Sequence, residues 1–163
     1  MALNVEGKLQ NVKASIEKYI YDNLYTTEGL TICWEDVPFE ESGVSEWVQE
    51  TIIGPSERMY HRQVSGSTTY GNTTMILLNF NIFVNPKENK NIVNRTYKLR
   101  DKIHNYFTIG KEIDLYDYSS GNFTTSLQKM SIDEIITDNQ IPNDNYQQYN
   151  LTYVIEWLEK WNT

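Results

Sequence analysis

The 163-residue chain has a single cysteine, two histidines and four prolines. A lone Cys33 rules out an internal disulfide and cannot build a thiolate metal site unaided, which points to a reducing compartment. Nowhere do the roughly 18 successive apolar residues of a membrane span occur. Met1–Gln10 lacks a basic stretch leading into an apolar run, so synthesis in the cytoplasm is expected. Basic residues are scarce, with 14 Lys and Arg against 22 Asp and Glu and a net charge of −8. That balance argues against broad attraction to phosphates, and no sequence-specific nucleic-acid binding is expected. HExxH, CxxC, GxSxG and phosphate-loop glycine patterns are missing, which takes the common zinc, redox, hydrolase and nucleotide sites out of consideration.

Aromatic residues are plentiful, at 13% with twelve Tyr and four Trp, a composition that disordered chains rarely carry. The length suits one domain spanning 1–163. Val5, Leu9, Val12, Ile16, Tyr19, Ile20 and Leu24 recur at steps of three and four and predict an amphipathic helix ending near Tyr25. Shorter alternating runs follow at Leu30–Trp34, Val44–Ile53, Arg58–Val64 and Thr73–Val84 and read as strands, with turns at Gly54-Pro55 and Gly66-Ser67. Helical period returns over Glu88–Phe107. Three strand candidates close the chain: Glu112–Tyr118, Thr125–Thr137 with a bend, and Tyr146–Trp161, the last with a helix as runner-up from Ile155 onward.

This order predicts an α+β single domain, a mostly antiparallel β-sheet with two helices packed on one face and a projecting β-hairpin. Ile76, Leu78, Phe80, Ile82 and Val84 form an unbroken apolar face that must meet the helices. In Val44–Ile53 neither face is cleanly apolar: Trp47, Gln49, Thr51 and Ile53 share one side, and Glu46 and Glu50 interrupt Val44, Val48 and Ile52 on the other. A strand wet on both sides suits a hairpin arm that reaches past the core.

Candidate chemistry is thin. His61 falls in an expected strand and His104 in the second helix, and an isolated histidine is ordinarily a surface or packed residue. Glu112 and Asp114 share a strand face, near Asp117, and would be the best seat for a divalent cation. A solvated sheet edge is the better account of them, since no lysine is placed two residues past a carboxylate on a neighbouring strand as a nuclease-like site requires, and no catalytic, metal or cofactor residues are assigned. Asp133-Glu134 and Glu40-Glu41 read as solvating charges. The sequons at Asn72, Asn94, Asn122 and Asn150 match what an Asn-rich chain contains by chance. Surplus Tyr and Trp fit a protein interface better than a stacking platform for nucleic acid, which needs a basic groove.

A leading helix ending in Ile20-Tyr21-Asp22-Asn23-Leu24, the strand Gly-Leu-Thr-Ile-Cys-Trp, the Pro38-Phe39 loop, strands through Trp47 and Arg62, the apolar Met75–Val84 strand, Arg100-Asp101-Lys102-Ile103 in the second helix and a long closing strand together resemble the tail terminator proteins of long-tailed phages. The likeness is one of order and texture over nearly the whole chain. It implies a non-catalytic virion protein of the tail and neck region, assembled in the host cytoplasm. Its implied partners are copies of itself in a hexameric ring, the tail tube protein and the head-completion or neck protein, and DNA passes through the ring without being gripped. Ring contacts in such proteins come from hairpins and loops, which here match the 36–43 loop, residues 47–58 and residues 66–72. The candidate interface residues are therefore Phe39, Trp47, Gln49, Thr51, Ile53 and Arg58. Competing readings are another head-tail connector, stopper or neck subunit, an acidic inhibitor that mimics DNA, and a metal-dependent enzyme using Glu112 and Asp114.

Overall fold

The computed structural model describes residues 2–5, 8–63 and 69–162; for residues 2, 57–63, 69, 70, 161 and 162 it describes the backbone. Helix α1 (Leu9–Ile20) runs on into a π-helical segment, Tyr21–Thr27. Val12, Ile16, Ile20 and Leu24, each four residues after the last, are wholly buried and form the stripe that seats it. Leu9, expected in that stripe, is instead exposed. The strands are β1 (Ala2–Leu3), β2 (Ile32–Cys33), β3 (Glu46–Gln63), β4 (Thr69–Val84), β5 (Glu112–Tyr116), β6 (Ser126–Ile141) and β7 (Gln147–Asn162), with α2 (Arg95–Tyr106) between β4 and β5.

They form one sheet in the order β2-β3-β4-β7-β6-β5, with β1 also on β7. Every pairing is antiparallel except β2 with β3. Ile76, Leu78, Phe80, Ile82 and Val84 of β4 stand beside Leu151, Tyr153 and Ile155 of β7 on one face, and both helices pack there. Fully burying an Ile or Leu side chain stabilises by about 1.5–3 kcal/mol. The expected α+β class and helix-covered face are what the fold has.

Several boundaries differ from expectation, each for a local reason. Gly54-Pro55 does not turn the chain: β3 continues through it, with a register shift between Ile53 and Ser56. Gly54, at φ 114, absorbs the irregularity. Pro is tolerated because β3 is an outer strand there and a missing N–H breaks no ladder on its free side. Helix α2 starts at Arg95, because Asn85 and Asn89 cap the N–H groups of Lys87 and Asn91 and hold residues 85–94 in turns. Strand β6 extends through Asp138-Asn139-Gln140 with register shifts at 132–134 and 135–137, where β7 pairs it and α2 grips its side chains. The end of β7 is strand, paired with β4 as far as Asn162. Val64 and the Gly66-Ser67 turn lie outside the described residues.

Strand β3 is also drier than its sequence suggests. Trp47, Val48 and Glu50 are 4%, 1% and 1% exposed, which corrects the expectation of a segment wet on both sides. Val48 and Glu50 face the helix layer, and Trp47 is covered on the opposite side by aromatic rings from elsewhere in the chain.

Candidate assembly surface and acidic cluster

The face of the sheet away from the helices carries a polar ladder. Asn79, Asn81, Asn150, Thr152 and Thr137 meet in register across β4, β7 and β6. Asn150 Nδ2 donates to Asn81 Oδ1 at 2.8 Å, Asn81 Nδ2 to Asn79 Oδ1 at 2.9 Å, and Asn79 Nδ2 to Thr152 Oγ1 at 2.7 Å. Thr137 donates to Thr152 at 2.7 Å. These groups satisfy one another without a formal charge.

The ladder ends at a ring cluster. Trp47 stacks on Phe83 at 5.1 Å and meets Tyr146 at 5.3 Å and Phe39 at 5.8 Å. Phe39 and Trp47 are thus brought together, as partners within one chain. Gln49 and Thr51 line the same cleft of about 450 Å³, and Ile53 stands half exposed beyond it. Arg58 pairs Thr73 through its backbone, and its side chain lies outside the described residues; the same holds for His61 and for most of the 66–72 loop.

Two stretches of strand backbone have no lateral partner among the described residues. One is the outer edge of β3 beyond Glu50, since β2 pairs only Val48 and Gln49. The other is the outer edge of β6 from Glu134 onward, past the end of the β5 pairing at Ser131 and the Lys111 carbonyl that accepts the Ile132 N–H. Each carries a half-exposed isoleucine, Ile53 at 50% and Ile136 at 51%. The second edge was missed in the sequence because its Asp138-Asn139-Gln140 composition reads as a turn.

On the helix-covered side three carboxylates converge. Glu17 of α1, Glu35 of the turn after β2 and Glu50 of β3 each place an oxygen within 4.8 Å of the other two. Glu50 Oε1 accepts the Glu35 N–H at 2.9 Å, while its Oε2 is buried with no hydrogen-bond partner. Burial, reinforced by Glu17 and Glu35, pushes the Glu50 carboxyl up to about 7, and burial also raises Glu17. Lys13 Nζ lies 2.6 Å from Asp36, 3.5 Å from Glu35 and 3.6 Å from Glu17. The Asp36 hydrogen bond holds its ammonium above the ordinary range. The sequence predicts Glu50 on a strand wet on both sides, not in a buried cluster. The one signal available was a Glu in the middle of an apolar strand face.

The acidic pair expected to be the best cation seat, Glu112 and Asp114, lies on the outer side of β5. Asp114 accepts from Lys129 at 2.9 Å and Ser126 at 3.0 Å, and Lys129 holds its carboxyl low. His104 packs its ring on Tyr153, with Nδ1 3.2 Å from the phenol oxygen, and burial lowers its pKa. No helix among the described residues is long and apolar enough to cross a membrane.

Compared with known proteins, a solved structure aligns over 91% of this chain and 94% of its own length at a TM-score of 0.59 and 9% identity. At that identity the likeness shows the fold alone. No family model matches the chain, and no curated protein matches it.

Proposed function

We propose that this chain is the subunit of a homo-oligomeric ring of the tail-terminator kind, a structural part that caps a phage tail tube and joins it to the head-completion complex. The observation that carries the reading is the pair of strand edges left open among the described residues, on β3 beyond Glu50 and on β6 from Glu134 onward. They differ in sequence and lie on opposite sides of the sheet, the arrangement a heterologous, ring-closing interface requires, since each subunit must present two different patches. Each edge also bears a register shift, which keeps a strand from pairing indiscriminately while leaving it open to one fitted neighbour.

The negative charge is in keeping with a conduit. An acidic subunit repels phosphates, so a duplex slides through such a ring without adhering. The uncharged Asn and Thr ladder gives the open sheet face hydrogen-bonding groups without cationic grip on DNA. The sequence resemblance supplies the named role, and the edges supply the means of assembly.

Light scattering followed by negative-stain imaging tests this, with and without assembled tail tubes. The expected result is a closed annulus whose mass is a whole multiple of 19.2 kDa. A chain that stays monomeric at high concentration and on tube tips would sink the proposal.

A further inference from the structure

We infer that Glu17, Glu35 and Glu50 form a binding site for one hard divalent cation, of the calcium or magnesium class, that ties α1 to β3 and to the turn between β2 and β3. This goes beyond the ring reading and stands whether or not the chain assembles.

The geometry comes first. Oxygens bound to one such ion lie about 2.0–2.6 Å from it, and so within about 5 Å of one another. The three carboxylates meet that requirement from three separate chain segments, with one oxygen of each inside a 4.8 Å span. All three are oxygen donors, and the set includes no imidazole or thiolate, which favours calcium, magnesium or manganese over zinc or copper.

Burial adds a second constraint: Glu50 is 1% exposed and no N–H or hydroxyl donor reaches its Oε2, so a proton shared with Glu17 or a bound cation must satisfy it. A buried carboxylate oxygen left unsatisfied is costly, and a bound cation removes that cost. The Glu35 N–H fixes the other oxygen, Oε1, so the carboxylate is held in one orientation, as metal-binding carboxylates commonly are.

Lys13 does not fill the role. Its nearest partner is Asp36, its distances to Glu35 and Glu17 are those of loose ion pairs, and it forms no ion pair with Glu50 among the described residues. Four acidic groups therefore share one ammonium. A single proton between Glu17 and Glu50 would still leave Glu35 as a further anion in the same space, whereas a divalent ion is shared by all three.

The test uses the full chain stripped with EDTA and dialysed, then titrated with CaCl₂, MgCl₂ and MnCl₂ by calorimetry, with melting curves in parallel. The expected result is one saturable site per chain for at least one of these ions. At a hundredfold excess over Kd the melting temperature should rise by about 5–10 °C. Glu50→Gln keeps the shape and the Glu35 N–H acceptor and should weaken binding on the order of tenfold or more. Glu35→Gln, at a partly exposed position, should do the same and serves if the first variant fails to fold. Absence of binding heat for all three ions at millimolar concentration would overturn the inference. So would a cation-induced melting shift that persists unchanged in a folded Glu50→Gln or Glu35→Gln variant. Glu50→Gln melting higher than the native chain in EDTA, with no cation response from the native chain, would assign the buried charge to a proton and overturn it as well.

Discussion

Asp138 shows how much one side chain carries at the seam between α2 and the sheet. Arg100 clasps both of its oxygens, one at 2.9 Å, and the Tyr149 hydroxyl donates to it at 2.7 Å. Arg100, then Tyr149, hold its carboxyl below the ordinary 3.8. A carboxylate depressed in the folded state contributes stability that is fully present above its unfolded pKa and is lost as pH falls through the folded one. Asp138→Asn should therefore cost about 1–2 kcal/mol at neutral pH, the scale of charged hydrogen bonds at a partly exposed site. The gap between native and variant urea midpoints should close as pH drops below 3.8. Parallel curves down to pH 2 would show that Arg100 contributes packing alone. Gly54 makes a conformational case of the same kind. At φ 114 it sits where L side chains rarely go, so Gly54→Ala should cost on the order of 1–2 kcal/mol, read from denaturant midpoints, although the position is exposed.

Helix α1 does for β5 what a neighbouring strand would do. Asn11 accepts the Tyr118 N–H at 3.0 Å through Oδ1 and donates to Val5 O at 3.0 Å, and Ser15 accepts the Tyr116 N–H at 2.9 Å. Asn11 and Ser15 are both buried, so Asn11→Ala strands a backbone donor and should lower stability by about 1–3 kcal/mol. Faster amide exchange at Tyr118 than at Ile113 would locate that loss. These buried polar residues, and Glu50, are what the hydrophobic period of the sequence could not reveal, because period reports which side faces in and not which polar groups have partners there. The apolar face of β4 and the α1 stripe were legible for the opposite reason: Ile76 to Val84 and Val12 to Leu24 are buried by their own regular spacing. Helix α2 and β6 were misjudged at their ends, where tertiary partners decide. Asn85 and Asn89 shorten the helix, and Arg100 with β7 keeps Asp138-Asn139-Gln140 in the sheet. Of the candidate interface residues, Ile53 was legible as an exposed strand position. The burial of Trp47 was not legible, since its covering rings come from Phe39 and Tyr146, about a hundred residues apart in the chain.

At the scale of the whole molecule, a sheet with two unlike open edges makes the proposed assembly testable by its symmetry. If β3 of one subunit meets β6 of the next, a lysine at either exposed isoleucine blocks one edge and spares the other. Ile53→Lys and Ile136→Lys should each keep the native melting temperature, because both positions are half exposed and surface changes of this sort usually stay within about 0.5 kcal/mol. Each variant alone should be unable to propagate a ring and should run as a monomer by light scattering. Mixed in equal amounts they should recover one good contact, the intact β3 edge of Ile136→Lys against the intact β6 edge of Ile53→Lys. The mixture should then stop at a species of twice the 19.2 kDa chain mass, with no annulus. An isologous contact behaves differently: a subunit pairing β3 with β3 would let Ile136→Lys dimerise unaided, and one pairing β6 with β6 would do the same for Ile53→Lys. Full rings from both single variants would remove both edges from the interface and leave the aromatic end of the sheet, around Phe39, Trp47 and Tyr146, as the surface to alter next.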